Sequence, residues 1–491
     1  MEHPPTSAAD RRPSPAQGDG LGRGAIGTGD LVFFVVAAAA PLTVMAGVAP
    51  LAISIGGVAA PSGYLLAGVL LLLFAVGFTA MSRHIRNAGA FYAYVGRGLG
   101  RRAGTGAALV ALVSYNLIEI GLLAAFAFFT SQTLDSLFGV AIPWQVWALV
   151  GLTAIGLLGY LKVTLSAKVL GVALALEVAI LLVFEVALIA GGGGPGGFDL
   201  ASFDPANLAT SGAGAMFVLT VGAFIGFEAT AIYAEEARDP ERSVPRATYL
   251  AVAFLGLFYA FTVWTFVVAY GSDRVQAVAS GEGGADMVFA AAASFAGPWA
   301  SGTMRVLIVV SAFAATLAFH NAANRYLFAL GREGVLPSAL ARVDRRTRSP
   351  VAAVLTQSAF ALVVLVAGML LGADPYNDLL LLTNGPGILG IMALQALAAV
   401  SVIAFFRRDR RGFSAWRIAV APAVAAAGLG VLCVLVAVNF ELLTARGASV
   451  NAVLIATPPA CFAAGWAVAA RMRRTDPRRY ARLTTVDAEE N

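Results

Sequence analysis

Charge is what this sequence has least of. Asp, Glu, Lys and Arg make up 12% of its 491 residues, about half the ~25% of an ordinary globular domain. None of them, nor a histidine, occurs among the 52 residues from Leu31 to Ser82. A soluble domain is excluded by apolar runs of that length, whereas a helix crossing a bilayer needs about 20 apolar residues. Cysteine is scarce as well. Cys433 and Cys461 lie in separate apolar runs without metal-ligand spacing, which argues against a disulfide framework or a thiolate metal site. There is no Walker phosphate loop, HExxH zinc motif, dinucleotide fingerprint or nucleophile–base motif. A self-contained ATP-driven machine is thereby set aside, and no cofactor or metal is expected.

What is present is a series of apolar runs with a mean hydropathy of +0.80. Twelve spans are expected, at about 30–56, 61–82, 103–131, 142–161, 164–190, 212–235, 247–271, 303–329, 351–371, 384–405, 417–439 and 450–470. The basic residues fall on one side of this map. Of 33 Lys and Arg, only Arg274, Arg305 and Arg446 lie opposite the rest. By the positive-inside rule both termini are expected in the cytoplasm, in a multi-pass protein of the cell membrane embedded in lipid. The same asymmetry accounts for a pI of about 9.3 without a nucleic-acid partner. Residues 1–27, polar and rich in Pro and Gly, are expected to form a disordered tail without a cleavable signal, and 472–491 a second tail. Trp144, Trp147 and Trp416 fall near expected membrane interfaces.

Two spans look broken. The first carries Pro41 and Gly47 near its middle; the sixth carries the run Gly222–Ala223–Phe224–Ile225–Gly226. Lipid offers no partner to backbone groups freed in this way, so breaks at that depth are tolerated only inside protein or beside a cavity. An offset of five spans inverts topology, as carriers built from inverted repeats require. The pattern implies a transporter driven by an ion or solute gradient.

Three segments resemble amino acid–polyamine–organocation (APC) permeases: Gly226–Phe227–Glu228 with AEEARDPERSVPR at 234–246, AGAFYAY at 88–94, and NRYLFALGREGVLP at 324–337. The resemblance covers roughly residues 27–470. It implies two inverted five-helix repeats, about 28–191 and 210–406, plus two extra helices at about 416–471. It also implies alternating access around a midplane pocket between spans one, three, six and eight. The sequence departs from the family twice. Many members have a Gly-Ser-Gly type break in span one, where this chain reads Ala40–Pro41–Leu42–Thr43, and Gly222 stands where some relatives place an aromatic gate.

On this reading a small-molecule substrate meets the breaks at Ala39, Ala40, Pro41, Thr43, Ala46 and Gly47, and at Gly222, Phe224, Ile225, Gly226 and Phe227. Asn116 and Glu119 of span three are expected to join them. Ionisable residues at membrane depth are functional candidates because burying them is costly. Glu177, mid-way along span five, is expected to carry a coupled proton. Glu228, Glu119 and His320 are further proton candidates, although Glu228 also suits a cap on the second half of span six. Glu185 is expected to reach the interface at the end of span five. Glu235, Glu236, Arg238, Asp239 and Arg242 are candidates for an inner gate of exchanging salt bridges. The substrate class is expected to be amino acids. The runner-up is a polyamine or other organic amine, favoured by the carboxylates Glu119 and Glu228; a membrane sensor or intramembrane enzyme has no supporting motif.

Overall fold

The computed structural model describes residues 27–85, 91–161, 167–209, 212–228, 230, 237–344, 346–347 and 349–483. Among them the chain is helical, with one isolated bridge between Gly194 and Gly197. Among the described residues nine helical stretches are long and apolar enough to cross a membrane, and Trp144–Tyr160 and Ala213–Gly222 are shorter apolar helices. The protein is an all-α polytopic membrane protein.

The first expected span is split as its proline demands. Helix α1 (Thr28–Ala39) ends at Ala40, which has φ +45°; a π-helical turn (Thr43–Val48) then leads into α2 (Ala49–Gly56). Pro41 has no N–H to continue the helical ladder and crowds the preceding turn. A short 3₁₀ turn leads to α3 (Ala60–Ser82), followed by α4 (Phe91–Leu99), α5 (Arg101–Phe138), α6 (Trp144–Tyr160) and α7 (Ala167–Ala190). The sixth span runs as α8 (Ala213–Gly222) and then unwinds into turns over 223–228, with Gly226 at φ +115°. Beyond it lie α9 (Pro240–Tyr270), α10 (Val275–Ser280), α11 (Met287–Ala296), α12 (Pro298–Glu333) and α13 (Val351–Leu370). A second π-turn (Pro375–Leu380) opens α14 (Leu381–Phe406) and a third (Trp416–Val420) opens α15 (Ala421–Val438). Short α16 (Phe440–Thr444) then precedes α17 (Ala448–Thr475) and α18 (Pro477–Arg482).

Four of these helices, α4, α10, α11 and α16, lie in stretches where only connections were expected. Helix α4 packs on α5 and α14, and its aromatic residues are buried, Phe91 and Tyr94 against Phe78 of α3 and Tyr92 against Tyr326 of α12, so tertiary packing holds a helix too short to persist alone. Helix α5, with 38 residues, is about 57 Å long and projects beyond a ~30 Å hydrocarbon core. Lipid supplies no hydrophobic drive between helices, so close approach relies on small residues. Where α3 meets α9, a Cβ at Gly68 would stand 3.0 Å from the Cα of Gly256. Because the spans alternate in direction, Thr28, Arg101, Pro240 and Glu333 share one face, here termed the arginine-rich face.

Candidate functional site

Both breaks open onto one cavity. Its walls come from the end of α1 and the first π-turn, from α5, from the end of α8 with the turns beyond it, from α12 and from α14. Among the described residues the lining is aliphatic apart from the Phe319 ring, Thr43 and Asn384, and no ionisable side chain reaches it. The Thr43 hydroxyl is buried without a hydrogen-bond partner. Pro41 lacks an N–H, and the N–H of Leu42 turns away to Glu177. The usual helical donors to the carbonyls at 37 and 38 are therefore missing at the cavity's edge.

Aromatic layers lie at either end. Away from the arginine-rich face, Phe128 and Tyr376 stack with ring centroids 5.0 Å apart, and the Tyr376 hydroxyl donates to the Gly47 carbonyl at 2.7 Å. Toward the arginine-rich face, Phe319 packs on Tyr115 at 5.6 Å and Tyr115 on Tyr326 at 5.1 Å. The Tyr115 hydroxyl donates to Glu228, whose other oxygen accepts the Gly226 N–H at 2.9 Å. Glu228 thus folds back onto the backbone of its own turn and ties that turn to α5.

Glu177 of α7 reaches the first break. Its Oε2 accepts the Leu42 N–H at 3.2 Å and the Ser311 hydroxyl of α12 at 2.9 Å. One buried carboxylate therefore links the break to two neighbouring helices. Glu119 faces elsewhere. His320 Nδ1 lies 2.7 Å from one of its oxygens, and Gln357 of α13 donates to the other. All three side chains are fully buried, forming a polar link between α5, α12 and α13. Glu185 does not reach an interface: it is 1% exposed and accepts the Thr262 hydroxyl of α9 at 2.5 Å.

Of the expected substrate positions, Ala39, Ala40, Thr43, Gly222 and Ile225 line the cavity. Pro41, Ala46, Gly47, Asn116, Glu119, Phe224, Gly226 and Phe227 do not. Asn116 bonds the Leu112 carbonyl of its own helix, and Phe224 packs on Tyr259, whose hydroxyl donates to the Ala39 carbonyl. Phe227 stacks edge-on against Phe74 and Phe78 of α3. The departure at Glu119 is the largest, because the neighbouring Ile118 and Leu122 form the α5 wall instead. Sequence reasoning also missed α14, which contributes Leu380, Leu381, Asn384 and Ile388. Its signal was the run Thr383–Asn384–Gly385–Pro386–Gly387, polar and helix-weakening inside a span.

Among the expected gate residues, Glu235 and Glu236 lie outside the described residues. Arg242 and Asp239 form an exposed pair at 3.9 Å, three residues apart on one segment, so that pair bridges no two helices. Contacts that do join separate elements on this face include Tyr115 with Glu228, Tyr92 with Glu333, and Thr28 with Ser243 at 3.2 Å.

Comparison with known proteins agrees with this architecture. A family model described as amino acid permease matches residues 30–474, and the chain belongs to that family. An uncharacterised transporter of Mycobacterium tuberculosis (strain ATCC 25618 / H37Rv) is 28% identical over 325 residues, 60% of this chain and 64% of the relative. A D-serine/D-alanine/glycine transporter of Escherichia coli (strain K12) is 30% identical over 144 residues, 28% of each chain. A general amino-acid permease of Saccharomyces cerevisiae is 25% identical over 214 residues, 41% of this chain and 35% of the relative.

Proposed function

We propose that this amino acid permease is a secondary active transporter that moves an amino acid by alternating access, with Glu177 carrying a coupled proton. The observation that carries the proposal is the position of Glu177, on the freed amide of the first break and on Ser311 of α12. Ionised, the carboxylate holds the break through two charge-assisted hydrogen bonds. Protonated, it holds the same groups more weakly, and the break can shift against α7 and α12. A proton taken up from one side then unlocks the state that releases substrate on the other.

The substrate amine faces the unpaired carbonyls at the end of α1, where the helix dipole is negative. The aromatic layers open in turn as the repeats at about 28–191 and 210–406 rock against each other, in a cell membrane with the arginine-rich face in the cytoplasm. Relatives named as transporters of D-serine, D-alanine and glycine, and of amino acids generally, support an amino acid substrate. The polyamine alternative keeps the departure of the first break from the family pattern in its favour, but neither Glu119 nor Glu228 lines the cavity.

Reconstituted vesicles test the proposal. The parent chain should accumulate amino acid under an inward proton gradient. Glu177→Gln, which mimics the protonated side chain, should exchange substrate yet fail to concentrate it. Accumulation by Glu177→Gln with unchanged pH dependence would show that Glu177 is structural.

A further inference from the structure

The cavity wall also limits what can enter. The cavity is small, about 60 Å³. One boundary is set by Ile388 of α14, which fills the space beside Gly222: a Cβ at Gly222 would stand 2.5 Å from Ile388 Cδ1. Across the cavity Ile118, Leu122 and Leu219 continue the aliphatic surface. Polar groups reach the cavity at the break by Ala40, beside the Thr43 hydroxyl, and at Asn384 of α14, whose amide oxygen, like that hydroxyl, has no partner among the described residues.

Building on the permease reading, we infer that the cavity selects zwitterionic amino acids with short aliphatic side chains, of glycine to valine size, and that Ile388 sets the upper limit. The amine and carboxylate of such a substrate meet backbone groups at the break and the Thr43 hydroxyl, and the side chain lies against the aliphatic wall. A lysine, an arginine or a polyamine would carry a second charge onto that wall, where no carboxylate stands to pair with it. A glutamate fails for the same reason with the opposite sign. An aromatic side chain exceeds the volume.

The test uses the full chain, purified and reconstituted, with thermal shift and uptake measured for each amino acid and for spermidine. Glycine, alanine and valine should raise the melting temperature and be transported; arginine, glutamate, phenylalanine and spermidine should do neither. Ile388→Ala should improve leucine or methionine relative to alanine by about tenfold or more, the scale at which hydrophobic pockets discriminate added methylenes. Ile388→Val, a one-methylene change, should shift the ratio the same way by less and serves if the alanine variant does not fold. Transport of arginine or spermidine as good as that of alanine would overturn the inference and leave the permease reading intact. An unchanged leucine-to-alanine ratio in folded Ile388 variants would remove Ile388 as the limit. Absence of any shift or uptake with every amino acid would overturn the permease reading itself.

Discussion

Each helix break sets one freed amide on a buried carboxylate, but the two carboxylates come from different places. At the first break Leu42 donates to Glu177, which belongs to α7 and also holds Ser311 of α12. At the second, Gly226 donates to Glu228, two residues further along the same segment. A contact made between separate helices changes whenever those helices move. A contact made within one segment travels with it. The first carboxylate is therefore placed to sense rearrangement, while the second holds the turn at 226–228 and joins it to α5 through Tyr115. The backbone differs in the same sense. Ala40 tolerates φ +45° with a Cβ, whereas φ +115° at Gly226 lies where side chains are rarely accommodated.

Substitutions can break or sharpen that contrast. Gly226→Leu should have the largest effect. It forces a side chain onto φ +115°, with its Cβ 3.3 Å from that of Ala38, at a cost of about 1–3 kcal/mol for the backbone alone. Uptake should fall more than about tenfold while the protein still reaches the membrane, as quantitative immunoblotting of membrane fractions would show; normal kinetics would mean the break is not held in this shape. Tyr115→Phe removes the donor to Glu228 and should cost about 1.5–3 kcal/mol, read as a lowered melting temperature. If the second carboxylate is only a local cap, this variant should still concentrate substrate, unlike Glu177→Gln. Ser311→Ala removes one of two bonds to Glu177 and should slow uptake about fivefold, the equivalent of ~1 kcal/mol. In a Glu177→Gln background the same change should add little, and full additivity would show that Ser311 and Glu177 act separately. Arg242→Ala should do least, leaving uptake within about twofold, because its partner pair is solvent-exposed and such pairs contribute little. A larger loss would restore the salt-bridge gate expected from sequence.

The contrast between the breaks was partly visible before any coordinates. Pro41 announced the first and the Gly222–Gly226 run the second, because each weakens hydrogen bonding in a medium that supplies no replacement. The spans followed from charge-free runs, for the same physical reason. Orientation within a span did not. Helix α5 is apolar nearly all round and buried over most of its length, so no stripe marks which side meets the cavity. Glu119, expected at the cavity, consequently turns away, and its neighbour Ile118 lines the wall instead. Glu185 misled for a related reason: distance from the middle of a helix says nothing about whether a threonine such as Thr262 waits on the next one. The helices α4, α10, α11 and α16 depend on tertiary packing that local composition does not encode, whereas the share of α14 in the cavity left a trace in the run Thr383–Gly387.

The buried link of Glu119, His320 and Gln357 has a consequence in time. Glu119 is separated by 201 residues from His320 and by 238 from Gln357. At ~5–20 residues per second of synthesis, the ribosome needs roughly 10–40 s after making Glu119 before His320 even exists. During that interval the third span sits in the bilayer with its carboxyl group unanswered, held there by its other apolar residues alone. How much polarity that span can carry is thus decided by the nascent chain's wait, before the finished contact has contributed anything.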